Sequence, residues 1–254
     1  MKEVQYGWWL PPDISTHGHE VDELIIIIHW FMLVLFVGWS IFIAYCLVRF
    51  RQRPGHVATY PPIKATFTKW VEGGVVVAEA VLLLGLAMPA WSAIKNITPD
   101  TPPDPLIVRA VAEQFKWLFH YPGRDGEFGR TGAEFFDDAN PAGLDPSDEA
   151  GWDDITVRGL HIPAGRPVIA RLNSKDVIHS FKVPVMRVTQ DVIPGMEIAV
   201  WFEAKENESG EFQVGCAQLC GLGHYEMKAD FIVQSPEDFQ QWLDDEHELL
   251  GLDE

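Results

Sequence analysis

"GCAQLCGLGHYEM", residues 215–227, sets two cysteines four apart, a histidine four further on and a methionine three beyond it. Thiolate, thioether and imidazole together form a soft donor set that selects copper. A zinc site more often takes four Cys and His ligands without methionine. Taken alone, a C-x3-C pair in an oxidising compartment reads as a disulfide. His224 and Met227 change that reading, because both follow at ligand spacing on a glycine-rich turn that can fold back on itself. The remaining cysteine, Cys46, lies in an apolar run and reads as a small buried hydrophobe.

Outward from this stretch the pattern is strand-like. Short apolar or alternating runs at 105–122, 154–165, 167–184, 191–204, 210–220 and 227–236 are punctuated by Gly, Pro, Asn and Asp. Such spacing, with no long helical segments between the runs, predicts a β-sandwich or barrel. His179, in "DVIHSF", falls at the end of a predicted strand, where a sheet can deliver a distant histidine to a site made by one loop. A mononuclear type 1 copper uses one Cys, two His and a weak Met. Here there is one cysteine too many, and two thiolates are what a dinuclear copper centre needs as bridges. Residues 123–153 are rich in Gly, Asp, Glu and Pro and too long for a tight turn, so they read as a surface insertion. A terminal helix is expected after Ser235, a good N-cap followed by Pro236 and two acids.

Toward the N-terminus the character changes. Leu24 to Val48 is an uncharged run, and Val71 to Ile94 is interrupted only by Glu72 and Glu79. Each exceeds the ~20 helical residues that span a ~30 Å hydrocarbon core, so a helical hairpin in a membrane is expected. No basic, short-cored leader with a cleavage site precedes Leu24, so no intact signal peptide is expected. The connection carries Arg49, Arg51, Arg53, Lys64 and Lys69, against Lys2 before the first helix and Lys95 after the second. The positive-inside rule then makes the connection cytoplasmic and both termini external, which in a bacterial inner membrane means periplasmic.

Charge divides the chain as sharply. Residues 1–96 hold seven Lys/Arg and seven Asp/Glu, whereas 97–254 hold twelve and thirty, so the net charge of −18 belongs to the outer domain. That surface is soluble and can steer a basic partner. No nucleic-acid partner is expected.

With these residues together, the chain resembles subunit II of haem-copper cytochrome c oxidases, and the resemblance covers nearly all of it except the insertion. "DVIHSFKVP", "QDVIPG" and C-A-Q-L-C-G-x-x-H-x-x-M carry it. It implies two membrane helices followed by an all-β, Greek-key cupredoxin-like domain with a dinuclear copper A centre. Cys216 and Cys220 would bridge the coppers, one copper adding His179 and Met227, the other His224 and the main-chain carbonyl of Gln218. It further implies an electron donor, cytochrome c or a cytochrome c domain of a neighbouring complex. Electrons pass on to the haem of subunit I, where oxygen is reduced and protons are pumped. Other oxidase subunits and membrane lipid complete the implied partners. The organisation expected is an N-terminal periplasmic segment at 1–23, the membrane hairpin at 24–96, the copper domain at 97–236 and a C-terminal helix or tail at 237–254.

Departures from the family pattern refine these expectations. Gln218 stands where the family commonly has a glutamate that also binds magnesium, and a neutral amide is a poorer ligand for a hard cation, so magnesium is not expected there. Met196 replaces an arginine after "IPG", and Thr189 stands where a lysine is usual. Phe115, with Trp117 two residues on, occupies the place of the aromatic pair at the electron-accepting edge, and Asp176 matches an acidic docking position. Glu72, near the cytoplasmic end, resembles the family's carboxylate at the mouth of a proton path, with Glu79 about 10 Å deeper at ~1.5 Å per residue. A copper A subunit of a nitric oxide reductase would share these features. A quinol oxidase subunit would lack the copper ligands, and a membrane-tethered copper carrier would expose a methionine-rich site.

Overall fold

The computed structural model describes residues 10–57, 60, 66–95, 103–137 and 139–251. The chain divides into two units, one of residues Glu20–Ala93 and the other of the residues up to His19 with those from Ile94 onward.

In the first unit, α1 runs Gly18–Arg49 and α2 runs Thr66–Ala80. After α2 come a π-helical stretch, Val81–Ala87, and then α3, Met88–Lys95. Both spans are long and apolar enough to cross a membrane and extend beyond the apolar runs that announced them. Glu20 in the first turn of α1 and Arg49 in its last complement the helix dipole. The π stretch has no sequence signal, because it sits within an unbroken apolar run. Glu72 and Glu79 both lie on α2 and are exposed.

The other unit is a sandwich of two five-stranded sheets. Its strands are β1 Leu106–Glu113, β2 Lys116–Tyr121, β3 Ile155–Val157, β4 Leu160–Pro163 and β5 Val168–Ser174. They continue as β6 His179–Val183, β7 Val188–Val192, β8 Ile198–Phe202, β9 Gly210–Cys216 and β10 Lys228–Gln234. One sheet has the order β3-β2-β1-β5-β8 and the other β4-β10-β9-β6-β7. β1 pairs parallel with β5, and β4 with β10, while their other neighbours are antiparallel. Three of the longer apolar runs, at 105–122, 154–165 and 167–184, thus hold two strands apiece, while 191–204 takes in only the end of β7 together with β8.

Alternation explains the core. β1 buries every second residue, so Leu106, Val108, Ala110 and Ala112 face inward. They meet Phe181, Phe231 and Val214 of the opposite sheet in one continuous cluster, with Phe202 ringed by Phe181 at 6.4 Å and Phe231 at 6.3 Å. β2 breaks the alternation and is buried from Trp117 to Tyr121, because the insertion covers its outer side: His120 lies edge-on to Phe128. Residues near the N-terminus join this unit too, since Ser15 bridges Ala204 and Ile14 is in the core.

The insertion at 123–153 is irregular, with 3-10 turns at Ala133–Phe135 and Glu149–Gly151. It is anchored by Asp154, whose Oδ2 accepts from His120 Nε2 at 2.6 Å and Gly129 N at 2.9 Å, while Oδ1 accepts from Gly123 N at 2.9 Å. The expected terminal helix is α4, Pro236–Leu249, capped by Ser235 Oγ accepting from Asp238 N at 3.0 Å. Trp242 of α4 stacks on His161 with ring centroids 4.0 Å apart.

Candidate metal centre

The ligand loop is the connection between β9 and β10. These strands pair antiparallel up to Gly215↔Lys228, and Cys216 N then donates to Met227 O at 3.1 Å, so Cys216 and Met227 face one another across the neck. Residues 217–226 fold back above that neck, with a 3-10 turn at His224–Glu226. β6 lies on the other side of β9 and begins at His179; Phe181 pairs with Cys216, and Ala217 N donates to Ser180 O. The sheet therefore brings His179 beside the first cysteine.

The donor atoms converge. One ligand atom each of His179, Cys216 and Cys220 lies within 4.8 Å of the others. Cys216 Sγ is 3.9 Å from His179 Nδ1, 3.1 Å from Gln218 O and 3.9 Å from Cys220 Sγ. Cys220 Sγ is 3.5 Å from His224 Nδ1 and 3.8 Å from Met227 Sδ. His179, Cys220 and Met227 are buried. All three cysteines of the chain are free, so the disulfide alternative for Cys216 and Cys220 is not the arrangement found.

This set fits a soft metal. With metal–sulfur bonds of ~2.3 Å, two thiolates on one tetrahedral ion lie ~3.8 Å apart, close to the 3.9 Å separation of the two sulfurs. Burial, and then the neighbouring Cys216, push the Cys220 thiol up to about 11. Near neutral pH it holds its proton until a metal displaces it.

Further out, the support is polar. His179 Nε2 donates to Asp176 Oδ1 at 2.8 Å, which leaves Nδ1 as the lone-pair nitrogen facing Cys216. Burial works to raise the Asp176 carboxyl, but bonds from His179, Gln114 N and Val177 N outweigh it and hold the group below its ordinary range. Gln114 donates from its backbone to Asp176 Oδ2 at 2.7 Å and from its side chain to Cys220 O at 2.6 Å. Asp176, singled out in the sequence as a docking acid, is thus bonded directly to a candidate ligand, and its spacing of three before His179 is the signal that could have shown it. Gln114 carried no such signal.

Phe115 is 37% exposed, and its ring packs against Gly221 and Gly223. A Cβ on Gly223 would lie 2.5 Å from that ring. Leu219, Leu222 and Tyr225 on the same loop are exposed as well. Trp117 lies inside the domain at 1% exposure, edge-on to His179 at 6.3 Å and to Phe181 at 5.6 Å. It backs the site and offers no surface to a partner. Gln218 is exposed, with only its main-chain oxygen turned to Cys216.

Two membrane-length helices with a β-sandwich whose loop gathers thiols, imidazoles and a thioether define a membrane-bound, copper-binding cupredoxin-like protein. Residues 106–235 match the family model described as cytochrome C oxidase subunit II, periplasmic domain. An alternative cytochrome c oxidase subunit 2 of Bradyrhizobium diazoefficiens is 35% identical over 248 residues, covering 96% of this chain and 86% of its own. A cytochrome c oxidase subunit 2 of Synechocystis is 29% identical, covering 92% and 74%. The solved periplasmic domain of subunit II of cytochrome oxidase from Bradyrhizobium japonicum aligns with 57% of this chain and 95% of its own length, at 24% identity and a TM-score of 0.42. The chain belongs to the cytochrome c oxidase subunit II family.

Proposed function

We propose that this chain is the electron-accepting subunit of a terminal haem-copper oxidase, taking electrons from cytochrome c, or a cytochrome c domain of a neighbouring complex. It passes them to the haem of subunit I, where oxygen becomes water and protons are pumped. The observation that carries the reading is the convergence of Cys216, Cys220, His179, His224, Met227 and the Gln218 carbonyl at one corner, with the two free thiols 3.9 Å apart. These are the residues that hold a dinuclear copper A centre in this proposal. When bound, the copper pair supplies a one-electron couple shared between two metals.

The chain's own residues do the rest. Asp176 orients His179, and Gln114 fixes the Cys220 carbonyl, so the donors are held before any metal arrives. Trp117 and Phe181 exclude water behind His179. Phe115 is the apolar edge at which a donor touches, and the surrounding negative charge draws a basic donor in. Glu72 and Glu79, on α2, are proposed to line the start of a proton path and to face subunit I, since an intramembrane acid seeks protein over lipid. The chain is placed in a bacterial inner membrane with both termini and the copper domain periplasmic. No magnesium is assigned to Gln218. The curated relatives carry oxidase names, so a nitric oxide reductase or a copper carrier is not favoured.

The test is EPR of the full chain loaded with copper, with a copper count. Two coppers per chain and a seven-line spectrum are expected. One copper with a four-line spectrum would reduce the site to a mononuclear cupredoxin and overturn the relay.

A further inference from the structure

At its C-terminal end α1 stops at Arg49 and the chain turns. Phe50 N still donates to Cys46 O at 2.9 Å, and a turn follows at Pro54–Gly55 with His56 N donating to Arg53 O at 3.1 Å. Gly55 takes φ 77°, a conformation that favours glycine. The bend leaves a groove of about 400 Å³ lined by Phe42, Ile43, Cys46, Leu47, Phe50 and Arg51. Its walls are apolar except at one end.

That end is strongly basic. Residues 49–57, "RFRQRPGHV", hold three arginines and no acid. Among the described residues none of Arg49, Arg51 and Arg53 is in an ion pair, although Arg49 lies over the Phe50 ring at 5.4 Å. Positive-inside topology accounts for the arginines being near a membrane surface. It does not account for an apolar groove that ends on one of them. An apolar slot running along the last two turns of a membrane helix and ending at guanidinium groups has the polarity of a phospholipid with a negative headgroup: hydrocarbon at one end, phosphodiester at the other.

We propose that this groove is a binding site for an anionic phospholipid. One acyl chain lies against Phe42, Ile43, Cys46 and Leu47, and the phosphate is held by Arg51 with Arg49 and Arg53 beside it. The site is independent of the copper centre.

The test uses the purified membrane complex containing the full chain. It is labelled with phosphatidylglycerol or phosphatidylcholine carrying the same photoactivatable acyl chain, and the labelled peptides are mapped. A basic residue near a charged membrane surface contributes ~1 kcal/mol, about fivefold in binding. Labelling of residues 42–50 by the anionic probe is therefore expected to exceed that by the zwitterionic probe about fivefold or more. Arg51→Gln should remove most of that preference. Cys46→Trp, which fills the groove without changing charge, should lower labelling by the anionic probe. Equal labelling by the two probes would show ordinary surrounding lipid, and absence of label would show a face covered by another subunit. An unchanged preference in Arg51→Gln, or unchanged labelling in Cys46→Trp, would remove the headgroup or the acyl-chain assignment. Any of these four results overturns the proposal.

Discussion

The Nε2–H of His179 donates to Asp176 at 2.8 Å, and the same carboxylate takes the backbone N–H groups of Val177 and Gln114. A histidine ligand whose far nitrogen bonds a carboxylate is a better donor, and loss of such a partner typically costs 10–100-fold in metal affinity. Asp176→Asn should weaken copper binding by about that factor and raise the midpoint potential, since a negative charge beside the site is lost. A copper competition titration and a redox titration check both; a change in donor kinetics alone would make Asp176 a docking residue only. Gly223→Ala tests the loop. Its Cβ would meet the Phe115 ring at 2.5 Å, and relief of such overpacking costs about 1–3 kcal/mol. A lower midpoint in urea and less than full copper loading are expected. At this scale much was legible. The soft ligands are side chains whose chemistry is printed in the sequence at fixed spacing. What was not legible is how Asp176 and Gln114 are used, because their partners come from other strands.

At the level of elements, the β1–β2 hairpin is the instructive case. "PLIVRAVAEQFKWLFHYP" reads as one run, since its turn residues, Gln114 and Phe115, are not the Gly, Asn or Asp that mark tight turns. The turn is held from outside, by Asp176 and by the Cys220 carbonyl, which local sequence cannot reveal. The terminal helix was legible for the opposite reason, because its cap is local. The insertion was legible as an interruption but not as a cover. Arg109 reaches Gly129 O at 2.9 Å and lies over Phe128 at 4.3 Å, and Lys175 donates to Glu113 Oε2 and Pro141 O at 2.6 Å each. Asp154 is its central anchor, and removing that carboxylate strands Gly129 N and His120 Nε2 in a buried place and the half-buried Gly123 N beside them. An unsatisfied buried polar group costs about 1–3 kcal/mol. Asp154→Ala should therefore lower thermal stability by at least about 2 kcal/mol and open the insertion to protease. A melting curve and limited proteolysis read the two effects.

Across the whole molecule, the proposed donor would meet a strongly negative β domain. Residues 97–254 carry thirty acids against twelve Lys/Arg, and the reach of that field shrinks from ~30 Å at 0.01 M salt to ~8 Å at 0.15 M. The second-order rate of reduction by a basic cytochrome c should fall at least about tenfold over that range. A rate that ignores salt would leave the charge to solubility alone. The two membrane-length helices and the two-part architecture were legible at this scale from composition, since hydrocarbon and water impose different residue usage. The pairing of sheets was not, because it depends on contacts between residues far apart in the chain. The hairpin tip at Gln114 holds the loop that ends at Met227, and His179 lies between them in the chain. A growing chain has no complete set of donors until Met227, the residue just before β10, has emerged. In the proposed copper centre, loading would therefore have to wait for the chain through Met227.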